Sequence, residues 1–247
     1  MTFGSLFAGI GGFDLGFERA GMTCKWQVEI DDYATRILER HWPSVARLRD
    51  VRDVSISTVE AVDVICGGFP CQPVSCAGKR QIQADSRWLW PEFSRVVDEL
   101  RPRFAVVENV CGLLESDAGS EVVLDFAALG YDAEWCVLPA SAFGAPHRRQ
   151  RVFVLAYPNG YGWPSRDAKR CFVGERTREP DSTWGGRKQE SQRGFSGRVW
   201  RMPSPSFFGM DEWSAKWVDR LRVIGNAVVP QVAEWIGRRL MEFENQL

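Results

Sequence analysis

FGSLFAGIGGFDLGFERA, residues 3–20, runs from an apolar strand-like segment through a glycine-rich turn into a helix-like one. Glycines at such a turn let the backbone bend tightly and come close to a ligand, and the helix start presents free N–H groups. Glu29, in WQVEID, comes seventeen residues after Gly12, at the end of a second strand-like run. An acid there commonly accepts hydrogen bonds from a ribose in nucleotide-binding α/β folds. The plainer alternative is an acid that starts the next helix. The turn FAGIGG departs from the GxGxxG spacing of dinucleotide sites. It points to an adenosine-bearing ligand without a pyrophosphate, and away from a nicotinamide-dependent reductase.

The same alternation continues outward from this unit. CKWQVEI, VDVICGG, RFAVVENV, AEWCVLPA and RVFVLAY read as strands, with helix-like stretches between strands. Helical spacing is clearest in DDYATRILERHW and LWPEFSRVVDELR, the second with Trp90, Phe93, Val97 and Leu100 on one face. Apolar strands alternating with helices predict a parallel-dominated α/β sheet. After Tyr157, Gly, Ser, Arg and Trp dominate and periodicity is lost, over a span too long for an ordinary connecting loop. GNAVVPQVAEWIGRRLMEF restores it, with Val228, Val232, Trp235, Ile236 and Leu240 on one stripe. The chain therefore divides into a main body, 1–157, a small irregular lobe, 158–221, and a helical segment, 222–247, expected to pack back on the main body.

With 45% hydrophobic and 26% charged residues over 247 positions, the composition is that of a soluble globular protein. The N-terminal apolar stretch has no basic region before it and is broken by glycines and charges, which argues against a signal peptide or a membrane span. A cytoplasmic setting is expected. The seven cysteines are odd in number and scattered through apolar segments, which argues against a disulfide framework. Cys66, Cys71 and Cys76 are evenly spaced but lack a second pair, and His41 and His147 are the only histidines, so no metal site is expected. The net charge of −1 hides an asymmetry: residues 157–209 carry ten Lys/Arg against five acids. Such a segment is either a solvated loop or a lobe that binds a polyanion, its arginines on phosphates or guanine edges.

Cys71, in GGFPCQPVS, follows a strand in a Gly/Pro-rich loop. A thiol there, beside arginines or free N–H groups, becomes a strong nucleophile, though a loop cysteine can equally be filler. Two further features favour chemistry. VVENV ends a strand with Glu108 and Asn109, and GAPHRRQRVFVLA sets Arg149 and Arg151 two apart, on one side of an extended chain. A thiol, a carboxyl and paired guanidiniums around an adenosine pocket form a coherent set.

Taken together and in order, SLFAGIGGFDLGF, GGFPCQPVS, VENV, HRRQRVFVLA and GNAVVP resemble the motifs of the DNA (cytosine-5) methyltransferases. The resemblance covers about residues 3–157 and 222–240 and leaves out the lobe between them. It implies a Rossmann-like, S-adenosylmethionine-dependent sheet, with 1–157 catalytic and cofactor-binding and 158–221 recognising the target. It also implies double-stranded DNA as partner, a monomer, and a restriction–modification or phage setting. Around the cofactor it places Phe7, Ala8, Gly9, Ile10, Gly11, Gly12, Glu29, Ile30, Asp50, Val51, Pro70, Asn226 and Ala227. Glu29 would hold the ribose, and Asp50 the adenine amino group. Cys71 would be the nucleophile, Glu108 the proton donor to cytosine N3, Arg151 the contact to cytosine O2 and Arg149 the contact to the target phosphate. Gln72 and Ser75 would meet DNA, and in the lobe Arg166, Arg187 and Arg198 are the candidates.

The sequence also departs from the family pattern. His147 stands where a glutamine is usual, Ile30 where a tryptophan often stacks on adenine, and no clear segment precedes the last motif. Two other readings use the same residues. One is the branch that methylates transfer RNA; the other is a catalytically silent nucleic-acid-binding protein, in which Cys71 or Glu108 would be expected to be lost.

Overall fold

β1 (Thr2–Leu6) leads through the glycine turn into α1 (Gly12–Arg19), and β2 (Thr23–Val28) leads into α2 (Asp32–His41). A short β3 (Ala46–Leu48) precedes a single 3-10 turn, Val51–Asp53, and β4 (Val64–Gly67) follows. α3 (Trp90–Leu100), β5 (Phe104–Val110), α4 (Asp117–Ala128), β6 (Tyr131–Pro139), β7 (Gln150–Pro158) and α5 (Pro230–Glu244) complete the elements. The computed structural model describes residues 1–70, 88–145, 149–161 and 225–245.

The strands form one sheet in the order β3-β2-β1-β4-β5-β7-β6. The β1–β2, β1–β4, β2–β3 and β4–β5 pairings are parallel, and β7 runs antiparallel between β5 and β6. This is the parallel-dominated, Rossmann-like α/β sheet the sequence predicts. β3 escaped the sequence reading because three residues, ARL, are too few to show a period.

Helices cover both faces, which is why the central strands read as unbroken apolar runs. Alternate residues of one strand enter different cores. On β5, Ala105 and Val107 pack with Trp90, Phe93 and Phe126 on the α3/α4 side, while Phe104 and Val106 pack with Phe3, Phe17 and Ile236 on the α1/α5 side. The predicted face of α3 is buried, with Val96 added to it. Within α5, Val232, Ile236 and Leu240 are buried as the stripe requires. Val228 lies ahead of the helix, and Trp235 sits at its margin, 5.9 Å from the Phe143 ring. β7 extends to Pro158, and Tyr161 packs edge-on against Phe104 and tilted against Phe243.

Candidate active site

Because β1 to β5 are mutually parallel, their carboxyl ends share one edge, and the strand order reverses between β1 and β4. In open α/β sheets the ligand crevice forms at such a reversal. The glycine turn, Glu29, Asp50, Pro70 and Asn109 all lie at this edge.

In the turn, Phe7, Gly9 and Gly11 take left-handed φ values of 52°, 58° and 83°. For phenylalanine that conformation costs about 1–2 kcal/mol, so the surrounding structure imposes it. Ala8 N donates to Val28 O at 2.9 Å, tying the turn to β2. Glu29 is buried, its Oε2 accepting from Gly9 N (2.6 Å) and its Oε1 from Asp31 N (2.8 Å). Burial pushes its carboxyl above the usual range, against the pull of those backbone donors. Asp31 caps α2, accepting from Ala34 N at 2.9 Å, so Glu29 is not the acid that starts this helix. Ile30 is 68% exposed beside Glu29. Asp50 follows β3 and accepts from Arg52 N at 3.0 Å, while Val51 behind it is buried.

The second half of the site gathers around Glu108. This carboxyl is 7% exposed, with Oε1 3.0 Å from Arg151 Nε. Burial pushes it up to about 7, although Arg151 and Arg149 both pull it down. Gly68 leaves room for it: a β-carbon there would come within 2.7 Å of Glu108 Oε2. β7 supplies Arg151 by its register, since Val110 pairs with Arg151 and Glu108 with Phe153. Arg149 stands just ahead of β7; burial and Arg151 lower it, yet a guanidinium stays charged. Glu108, Arg149, Arg151, Phe153, Ala227 and Val228 line a small cleft that opens to solvent. The segment before α5 thus closes on the acid and the arginines, and Val228 O also lies against the start of α1 at Gly12. Asn226 is exposed beside Ala227.

Asn109 is a member that sequence reasoning noticed without giving it a role. Its Nδ2 donates to Phe69 O at 3.2 Å and its Oδ1 accepts from Val110 N at 2.8 Å. It therefore ties β5 to the strand end that leads to Cys71, and its place in VENV was the available signal. Cys71, Gln72, Ser75, His147, Arg166, Arg187 and Arg198 lie outside the described residues. Among the described residues, no group of three or more His, Cys, Asp or Glu could hold a metal ion, and no helix is long and apolar enough to cross a membrane.

Residues 1–193 match the family model for C-5 cytosine-specific DNA methylase. The chain is 38% identical over 174 residues to the Type II methyltransferase M.HgiBI of Herpetosiphon aurantiacus, covering 66% of this chain and 40% of that enzyme. It is 34% identical over 163 residues to the Type II methyltransferase M.HhaI of Haemophilus parahaemolyticus, covering 64% and 50%. It thus spans about half, or less, of the length of these relatives. A DNMT2 mutant of Spodoptera frugiperda shares the fold at a TM-score of 0.57 and 24% identity, covering 66% of this chain and 51% of that one.

Proposed function

Since the chain belongs to the C-5 cytosine-specific DNA methylase family, we propose that it transfers a methyl group from S-adenosylmethionine to C5 of a cytosine in double-stranded DNA. One observation carries this reading at the atomic level: a buried carboxyl near pH 7, Glu108, lies against Arg151 and Gly68 at the strand end that leads into Cys71.

The residues present suit an adenosine-bearing donor. Each Glu29 oxygen keeps acceptor capacity beyond its one backbone donor, enough for a ribose diol. Phe7, the glycine turn, Ile30, Asp50, Val51 and Pro70 line the same edge, with Asn226 and Ala227 approaching from the α5 side. The donor supplies an electrophilic methyl group on a sulfonium.

Cytosine C5 is too weak a nucleophile to take that methyl unaided. Glu108, held largely protonated below pH 7 by burial, gives a proton to N3 while the Cys71 thiolate adds to C6, turning the ring into an enamine. C5 of that enamine would then take the methyl group, its bond to sulfur breaking so that neutral S-adenosylhomocysteine leaves. Loss of the C5 proton to a base re-forms the C5–C6 double bond and expels the Cys71 thiolate, and N3 returns its proton to Glu108. Arg151 binds the ring O2, where negative charge develops on thiolate addition, and Arg149 the permanently charged target phosphate. A paired base is out of reach of these groups, so the cytosine is extruded from the duplex. Gln72 and Ser75 meet the DNA beside it. Residues 158–221, with Arg166, Arg187 and Arg198, choose the target.

The test is to incubate the protein with duplex DNA and labelled donor and then map modified cytosines by chemical conversion. The expected result is C5 methylation at a defined sequence, lost in Cys71→Ala with the fold intact. Transfer to transfer RNA alone, or turnover by Cys71→Ala, would reject the reading.

A further inference from the structure

We propose that Arg95 is a positioning residue for the methyl donor, holding from behind the turn that carries Asp50 and Val51. The inference rests on the reading of Asp50 and Val51 as donor contacts.

The 3-10 turn Val51–Asp53 is fastened at both ends. At its start the Asp50 side chain accepts from Arg52 N at 3.0 Å. Across it, Arg95 Nη2 donates to Val51 O, on its first residue, at 3.0 Å and Nη1 to Val54 O, just past its last, at 2.9 Å. Arg95 projects from α3 and is itself held by neighbours on that helix. Its Nε is 2.7 Å from Glu92 Oε2 and its Nη1 3.2 Å from Glu99 Oε2. Glu99 also accepts from Ile56 N at 2.8 Å, so α3 grips the segment twice.

A three-residue 3-10 turn does little to stabilise itself: two bonds, Asp53 N to Asp50 O at 3.1 Å and Val54 N to Val51 O at 3.2 Å, close it, and Arg95 adds a second donor to Val51 O and one to Val54 O. β3, which delivers Asp50, is three residues long and pairs with β2 alone. The buried side chains of Val51 and Val54 attach the segment to the core. The two carbonyl bonds from one planar guanidinium then fix the direction in which Asp50 leaves it. A lysine cannot span both carbonyls, because its ammonium is a point on a flexible stem.

S-adenosylhomocysteine binding measured by calorimetry tests this in wild type, Arg95→Lys, Arg95→Ala, Asp50→Ala and the Asp50→Ala/Arg95→Ala double variant. Arg95→Lys is expected to weaken binding by roughly three- to tenfold and Arg95→Ala by at least as much. kcat at saturating donor and KM for DNA should stay within about twofold of wild type. In the Asp50→Ala background, Arg95→Ala should cause no further loss, because the two act through one turn. A loss in Asp50→Ala with none in either Arg95 variant overturns the clamp and leaves the pocket standing. Additive losses in the double variant overturn it too, since Arg95 would then act on the fold at large. Wild-type affinity in Asp50→Ala removes both the clamp and the role of Asp50. Should Arg95→Ala fail to fold, Arg95→Lys carries every comparison, alone and combined with Asp50→Ala.

Discussion

At pH 7 an ordinary glutamate is almost wholly ionised, whereas burial brings Glu108 up to about 7 with two arginines beside it. In the proposed reaction the protonated form is the useful one. Single-turnover methylation should therefore fall about tenfold per pH unit above an apparent pKa near 7. Glu108→Gln should lose most of the rate together with that limb; a retained limb would assign it to another group. Stability follows the same titration. The folded state holds this proton more tightly than the unfolded chain, whose carboxyl titrates near 4.5. The contribution is full below pH 4.5 and is lost as pH rises towards 7, by about 3 kcal/mol in all. Urea titrations across that window should show a steeper fall in wild type than in Glu108→Gln, which keeps only the contributions of other buried carboxyls such as Glu29 and Asp14. Phe7 presents a separate case, because its left-handed φ comes from the turn and its side chain, partly buried, packs against the core at that edge. Phe7→Ala should weaken S-adenosylhomocysteine binding in calorimetry without altering which cytosine is modified.

Among the elements, the contact between α1 and α5 matters most for the site, because it seats the segment 225–229 against both the glycine turn and the Glu108 cleft. It is close: a β-carbon at Gly16 would lie 2.5 Å from both Ala233 Cβ and Pro230 O. Gly16→Ala gains about 1 kcal/mol of helix propensity but meets backbone that cannot rotate away, at about 1–3 kcal/mol. Thermal or urea unfolding should show a net loss of up to about 2 kcal/mol, and a stabilised variant would refute this account of the contact. On the opposite face, Trp90 is fully buried, stacks on Phe93 and donates to Asp125 Oδ2 at 2.7 Å. Trp90→Phe keeps most of the packing but strands that carboxylate, so a loss of about 1–2 kcal/mol is expected in the same assay. α3 and α5 were legible in the sequence because a buried stripe repeats over several turns. β3 was not, and neither was the α1–α5 seam, since glycine gives no sign of which backbone approaches it.

At the scale of the molecule, the sheet places the proposed donor pocket, at the strand reversal, beside the acid–arginine cleft. The net-basic stretch 157–209 lies almost wholly outside the described residues, and its proposed role in choosing the target needs its own experiment. Exchanging residues 158–221 for the corresponding segment of a related enzyme should move methylation to that enzyme's sequence context. An unchanged context on mapping would show that the choice is made elsewhere.

The order of FAGIGG, Glu29, PCQ, VENV and the two arginines was sufficient by itself to indicate the α/β class, the family and most of the candidate site. Each of these signals is local: a period, a turn composition, or a residue type placed at a strand end. What only the tertiary structure decided concerns surroundings. Burial against Gly68 and two arginines sets the proton affinity of Glu108, the β5–β7 register brings Arg151 to 3.0 Å from it, and a guanidinium from α3 secures the Asp50 turn. None of these can be read along the chain, because the partners stand 40 or more residues apart and meet only when the sheet and its helices have packed.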